Sequence, residues 1–169
     1  MPNIKIGLTG ILALIFVTAP LLSEATSLGE RPRGNIAVSE EFDHDLQLIL
    51  ETEKAIYQSE EPIVITLTLA NKGLKPMEIT FPSAQKYDFI VKKDKEEIWR
   101  WSQDKMFAMM LTKLVLQPNQ SFTYKEIWTQ EDDEGGYVLP GTYEIIGILK
   151  THPEIVSRPL TIKIIFKKE

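Results

Sequence analysis

From Leu46 onward, apolar residues fall at every second position in run after run, and turn-forming residues interrupt each run. Leu46, Leu48 and Leu50 alternate with Asp45, Gln47 and Ile49. Ile63–Gly73, "IVITLTLANKG", is rich in β-branched residues, alternates, and stops at Asn71–Gly73. A period of two is the side-chain period of a strand, in which successive residues point to opposite faces. Met77, Ile79 and Phe81 repeat the pattern before Pro82, and "TYEIIGILK" and "PLTIKIIFKK" close the chain with it. About eight or nine strands at spacings of roughly 8–15 residues, with no internal repeat and no βαβ unit, predict an all-β fold. The architecture expected is an immunoglobulin-like antiparallel β-sandwich, with a closed barrel as the alternative. The one helix-like stretch is "QDKMFAMMLTK", Gln103–Lys113, where Phe107, Met110 and Leu111 fall at helical spacing.

A different pattern precedes the strands. Lys5 is followed by the apolar stretch Ile6–Leu22 and then by small residues at Ser23 and Ala25. A positive start, an apolar centre and small residues before a polar stretch describe a secretory signal peptide, with cleavage expected after Ala25. The rival is a retained anchor, for which the stretch is short, with Pro20 near its end. Residues 26–39 are polar, contain Gly and Pro and lack periodicity, and read as a flexible spacer. The expected organisation is a leader over 1–25, the spacer over 26–39 and a β domain over 40–169. A secreted or cell-envelope location follows, with membrane attachment only if the leader stays on.

The chain has no cysteine, so neither disulfides nor a thiolate metal site nor a lipid-modified N-terminal cysteine is available to it. Its core must hold it together unaided. The net charge of −5 is distributed in mixed signs without a basic stripe, which excludes the electrostatic footprint of a nucleic-acid binder.

Catalytic and metal chemistry find little to work with. The two histidines, His44 in "EFDHDLQ" and His152 in "KTHPE", are far apart in sequence, and no Gly-x-Ser-x-Gly elbow is present. Asp43–His44–Asp45 supplies too few ligands for a metal that wants three or four. Glu131–Gly136, "EDDEGG", lacks the ligand order and the twelfth-position glutamate of a calcium loop and reads as a solvated acidic loop. "NQS", Asn119–Ser121, fits a glycosylation acceptor by spacing alone. No catalytic residue, cofactor or metal is expected, and the chain reads as a monomer that acts by contact with a protein.

Tyr87–Ser102, "YDFIVKKDKEEIWRWS", is two short strands joined by charges. Tyr87, Phe89 and Val91 share one face, and Asp88 and Ile90 the other. Trp99 and Trp101 share a face opposite Ile98 and Arg100. A hairpin turning within "KKDKEE" would bring Asp88 and Arg100 together across the strands. Asp88, Trp99, Arg100 and Trp101 are therefore either core aromatics with a surface ion pair or a displayed patch of the residue types enriched at binding hot spots.

Taken in order, "FPSAQKYDFIVKKDKEEIWRWSQDKMF", "LQPNQSFTYKEIW" and "LPGTYEIIGIL" resemble the BsuPI family of intracellular proteinase inhibitors, over about Leu46 to Leu149. The matching pieces are a Phe-Pro before "YDF", "IWRWS" followed shortly by a Phe, "L-x-P" with "Y-x-E-x-W", and "PGTY". The resemblance implies an immunoglobulin-like sandwich that inhibits a serine protease. Such inhibition usually presents a rigid extended loop to the active-site cleft, and preorganisation lowers the ordering cost. Ser102–Thr112 is the favoured loop, with Lys105, Met106, Phe107, Ala108, Met109 and Met110 as candidate protease contacts. Thr129–Pro140 is longer but carries four successive acidic residues, Glu131–Glu134. The alternative from another class is a cell-envelope binding or assembly module with no protease target.

Overall fold

The computed structural model describes residues 37–167, and the leader expected over 1–25 lies outside them. All regular structure among the described residues is strand. Four strands form one sheet in the order β1 (Ala37–Asp43), β2 (Leu46–Thr52), β4 (Ile63–Asn71) and β9 (Ser121–Trp128). The second sheet runs β3 (Ile56–Gln58), β12 (Leu160–Ile165), β10 (Gly141–Leu149), β6 (Tyr87–Lys93) and β7 (Glu96–Arg100), with β11 (Ile155–Val156) also on β10. A separate ribbon joins β5 (Met77–Phe81) to β8 (Thr112–Leu116). Pairing is antiparallel except for β12 with β3, which is parallel. β1 begins at Ala37, inside the stretch read as spacer, and pairs with β2 from Ala37↔Thr52 to Asp43↔Leu46.

The alternation seen in the sequence becomes the core. Ile63, Ile65, Leu67 and Leu69 of β4 are completely buried, and so are Leu48 and Leu50 of β2 and Tyr143, Ile145 and Leu149 of β10. The two sheets approach each other closely at Gly147: a Cβ there would lie 2.9 Å from Leu67 Cδ1 and 3.3 Å from Leu50 Cδ1. A side chain at that inward position would make the ends of Leu67 and Leu50 shift, so glycine suits the close approach of the layers. The all-β arrangement is consistent with the expected sandwich, and the β5–β8 ribbon shares its core through the buried Ile79, Phe81 and Leu116.

Two buried amides tie loops to this frame. Gln130, at φ +64°, donates from Nε2 to the carbonyls of Gln58 (2.8 Å) and Glu61 (2.7 Å) and accepts from the Glu60 N–H (3.0 Å). Asn71 donates to the carbonyls of Lys75 (2.8 Å) and Leu116 (2.9 Å) and accepts from Gly73 N–H (2.9 Å). Each satisfies backbone groups that burial would otherwise leave unpaired.

Candidate functional site

The β6–β7 hairpin turns through Asp94 and Lys95, at φ +50° and +72°, between paired Lys93 and Glu96. Positive φ at both central residues is the geometry whose twist suits a two-residue hairpin, achieved here without glycine. Beyond the turn the register slips: Lys92 pairs with Glu97 but Val91 with Trp99, leaving Ile98 as a bulge. An extra residue re-aims its neighbours. Ile98 therefore packs against the core together with Trp99 and Trp101, rather than on the face opposite them.

The two tryptophans start two separate aromatic groups. Trp99 lies 6.1 Å from Trp128, which meets Tyr143 edge-on at 5.8 Å. Trp101 stacks on Tyr87 at 4.5 Å, and Tyr87 on Tyr124 at 4.3 Å. Phe107 adds to the outer side of Trp101 at 5.9 Å. The Tyr87 hydroxyl donates to Glu126 of β9, so this column also bridges the two sheets. The aromatic and acidic residues quoted from "IWRWS" and "Y-x-E-x-W" are the members of these two groups.

Asp88 and Arg100 do meet, at 2.9 Å, but not as a surface pair. Asp88 is 1% exposed, on the outer face of the sheet and in register with Ile148. Its carboxylate accepts from Phe89 N–H (3.0 Å), Arg100 Nη1 (2.9 Å), Ser102 N–H (3.2 Å) and Ser102 Oγ (2.7 Å). Arg100 is held on its other side by Glu97 through Nε (2.7 Å) and Nη2 (2.8 Å). Of the four residues singled out from the sequence, Asp88 is withdrawn from the surface, while Trp99, Arg100 and Trp101 stay partly exposed and line one groove with the acidic loop. Both tryptophans are half-buried, with one side packed against the core.

Ser102 is also the root of the loop singled out from the sequence. Residues 105–111 have no helix, so the helical spacing of Phe107, Met110 and Leu111 is not realised. Tertiary anchors prevail over that weak local preference. Lys105 Nζ sits 4.5 Å above the Trp101 ring and donates to the Trp101 carbonyl at 2.7 Å. Phe107 rests on the same ring. The Ala108 carbonyl accepts from Ala84 N–H at 2.9 Å, and Thr112 Oγ1 donates to the Ser83 carbonyl at 3.3 Å. The supporting 82–86 turn is held in its turn by Lys150 N–H donating to the Lys86 carbonyl at 2.9 Å. Between these anchors Met106 is 100% exposed, Met109 88% and Met110 58%. Ser83, Ala84, Tyr87 and Ser102 were not among the candidates from the sequence, yet they position the loop. The Phe-Pro-Ser before "YDF" was the available signal.

The acidic loop does something else. Asp133 donates its N–H to the Ile98 carbonyl (3.0 Å) and accepts the Arg100 N–H on Oδ1 (3.0 Å). It thereby occupies the outer edge of β7, which would otherwise be open to pairing. Asp132 caps its own loop, accepting from Glu134 (3.0 Å) and Gly136 (2.8 Å) N–H groups. His44 and His152 both line one groove, together with Leu46, Met77 and Ile79. No three His, Cys, Asp or Glu side chains among the described residues are placed to hold a metal ion. No helix among them is long and apolar enough to cross a membrane.

The aromatic column has a measurable signature. Burial pushes the Tyr124 phenol up to about 12. Tyr87 is also raised, by burial and then by its bond to Glu126, and Tyr57 by burial. The fold keeps the neutral phenols, so their stabilisation is intact below the unfolded value of about 10 and is lost as pH climbs through the folded one. Alkaline titration should show these three of the five tyrosines lagging behind free tyrosine. Their ionisation should coincide with loss of near-ultraviolet dichroism. Ionisation of these three at the free-tyrosine value in a folded protein would contradict this packing.

Among solved structures, the chain resembles a β-glucosidase from Erythrobacter marinus at 13% identity and TM-score 0.39, covering 76% of this chain and 16% of that one. It resembles the alkylpurine DNA glycosylase AlkC of Pseudomonas fluorescens at 10% identity and TM-score 0.42, covering 78% and 30%. A CARDB domain from Pyrococcus furiosus, solved with di-metal ions, matches at 11% identity and TM-score 0.39, covering 82% and 100%. The chain thus spans about a sixth of the glucosidase's length. No curated protein matches it. Residues 50–154 match the BsuPI family, described as intracellular proteinase inhibitor, and that stretch contains both aromatic groups, the anchored loop and the acidic loop. This chain belongs to the BsuPI family of intracellular proteinase inhibitors.

Proposed function

We propose that the chain is an exported inhibitor of a serine protease of the subtilisin-like kind, and that it presents Lys105–Met110 to the enzyme's cleft. The observation that carries the reading is the loop itself: three exposed methionines on an irregular segment whose neighbours are pinned to Trp101, Ala84 and Ser83. Such a segment loses little freedom on binding, and its apolar side chains suit an apolar specificity pocket. The framework, which we read as an immunoglobulin-like sandwich, supplies rigidity. The inhibitor family is a non-catalytic one. The sequence of residues 1–25 supports action outside the cytosol, in contrast to the intracellular setting of the family's name.

The test is direct. The protein recovered from outside the cell should begin at Thr26 and should block at least one of a panel of serine proteases with one-to-one, saturable stoichiometry. Slow degradation by every protease, with no inhibition, would overturn the reading and favour an envelope binding module.

A further inference from the structure

Resting on that inhibitor reading, we infer that Met106 fills the protease's primary specificity pocket and that Met106–Phe107 is the bond presented to its nucleophile. Met106 is fully exposed, while both of its neighbours are held on one indole ring. On one side Lys105 Nζ lies 4.5 Å over Trp101 and bonds to its carbonyl; on the other Phe107 packs at 5.9 Å. Trp101 is itself fixed by the stack on Tyr87 and Tyr124. The side chain between the two anchors projects from a support that need not reorganise on binding.

Met109 is less suited despite its exposure. The Met110 N–H donates to the Ala108 carbonyl at 2.9 Å, which folds the chain tightly back around Met109. Protease clefts take extended chain, as in strand addition, so a tight turn is the wrong shape. The thioether of methionine is unbranched and flexible, which matches a deep apolar pocket.

The assignment has a chemical consequence. If the enzyme slowly hydrolyses the presented bond, water supplies hydroxyl to the Met106 carbonyl carbon and a proton to the Phe107 nitrogen. The cut ends then stay together, since Lys105 and Phe107 remain docked on the same ring. Cleaved inhibitor should keep most of its affinity.

The experiment uses the full protein and whichever protease of the panel it inhibits most strongly. Met106→Ala should weaken inhibition by about 100-fold, as for an anchor residue at the centre of an interface. Met109→Ala should weaken it by less than about 5-fold, as for a contact at an interface rim. Thermal midpoints should be unchanged, because neither side chain is buried. Met106→Lys should move the preference toward proteases with an acidic pocket, and prolonged incubation should yield a new N-terminus at Phe107. Inhibition that survives Met106→Ala, or cleavage at another bond, overturns this assignment and leaves the inhibitor reading standing. Wild-type protein that inhibits nothing overturns both.

Discussion

Replacing Asp88 with alanine is expected to destabilise the protein by about 3 kcal/mol and to weaken protease inhibition at the same time. The carboxylate is 1% exposed beside Ile148, and four donors converge on it. Truncation removes the acceptor of the part-buried Ser102 amide and hydroxyl, at a cost of up to about 1–3 kcal/mol for each group that water does not reach. Arg100 loses less, because Glu97 still holds two of its nitrogens at 2.7 and 2.8 Å. That retained partner is why the estimate sits at the lower end for a broken buried pair, about 3–5 kcal/mol. Asp88→Asn keeps one acceptor oxygen and should cost about half as much. On the proposed presentation of Met106, inhibition weakens because Ser102 roots the loop that carries it. Urea unfolding of the three proteins checks the stability, and a loss below about 1 kcal/mol for the alanine variant would mean the carboxylate is not the organiser described.

Trp128→Ala should cost more still, about 3–5 kcal/mol, the usual range for emptying a fully buried aromatic site. Trp128 is completely buried between Trp99 and Tyr143, and its Nε1 donates to the Glu131 carbonyl at 2.7 Å. The substitution opens a cavity between the sheets and releases the start of the acidic loop. A domain whose total stability is about 5–15 kcal/mol would retain little margin. Trp128→Phe keeps most of the ring volume but orphans the carbonyl, so an intermediate loss is expected. Trp99 and Trp101 remain as fluorescent reporters for the unfolding curve. If alanine and phenylalanine variants unfold at the wild-type denaturant concentration, Trp128 is not a keystone of the core.

The strands were legible wherever one face is core and the other solvent. Leu46–Leu50 and Ile63–Leu69 show the period of two because the sheet's inner face permits nothing polar at those positions. β1 was not legible: "AVSEEFD" is mostly polar, and its strand state comes from pairing with β2, a partner the local sequence does not reveal. Ile98 was assigned to the wrong face because a bulge breaks the alternation without altering composition. The pairing of Asp88 with Arg100 followed from strand geometry, but its burial depends on Ser102, which reaches back across a turn. The methionine loop was recognisable as apolar and irregular. What fixes its shape is a set of contacts with Trp101, Ser83 and Ala84, which no local pattern in the sequence announces.

Full solvent exposure of Met106 also bears on how such a molecule could change over generations. A residue that contacts nothing in its own protein can be exchanged with almost no effect on folding, since surface positions of this kind stay within about 0.5 kcal/mol. If Met106 enters a protease pocket as proposed, selection at that position is free to follow the pocket's shape. Under the proposed role, the scaffold behind it can stay constant while single substitutions at this position change which pocket is matched.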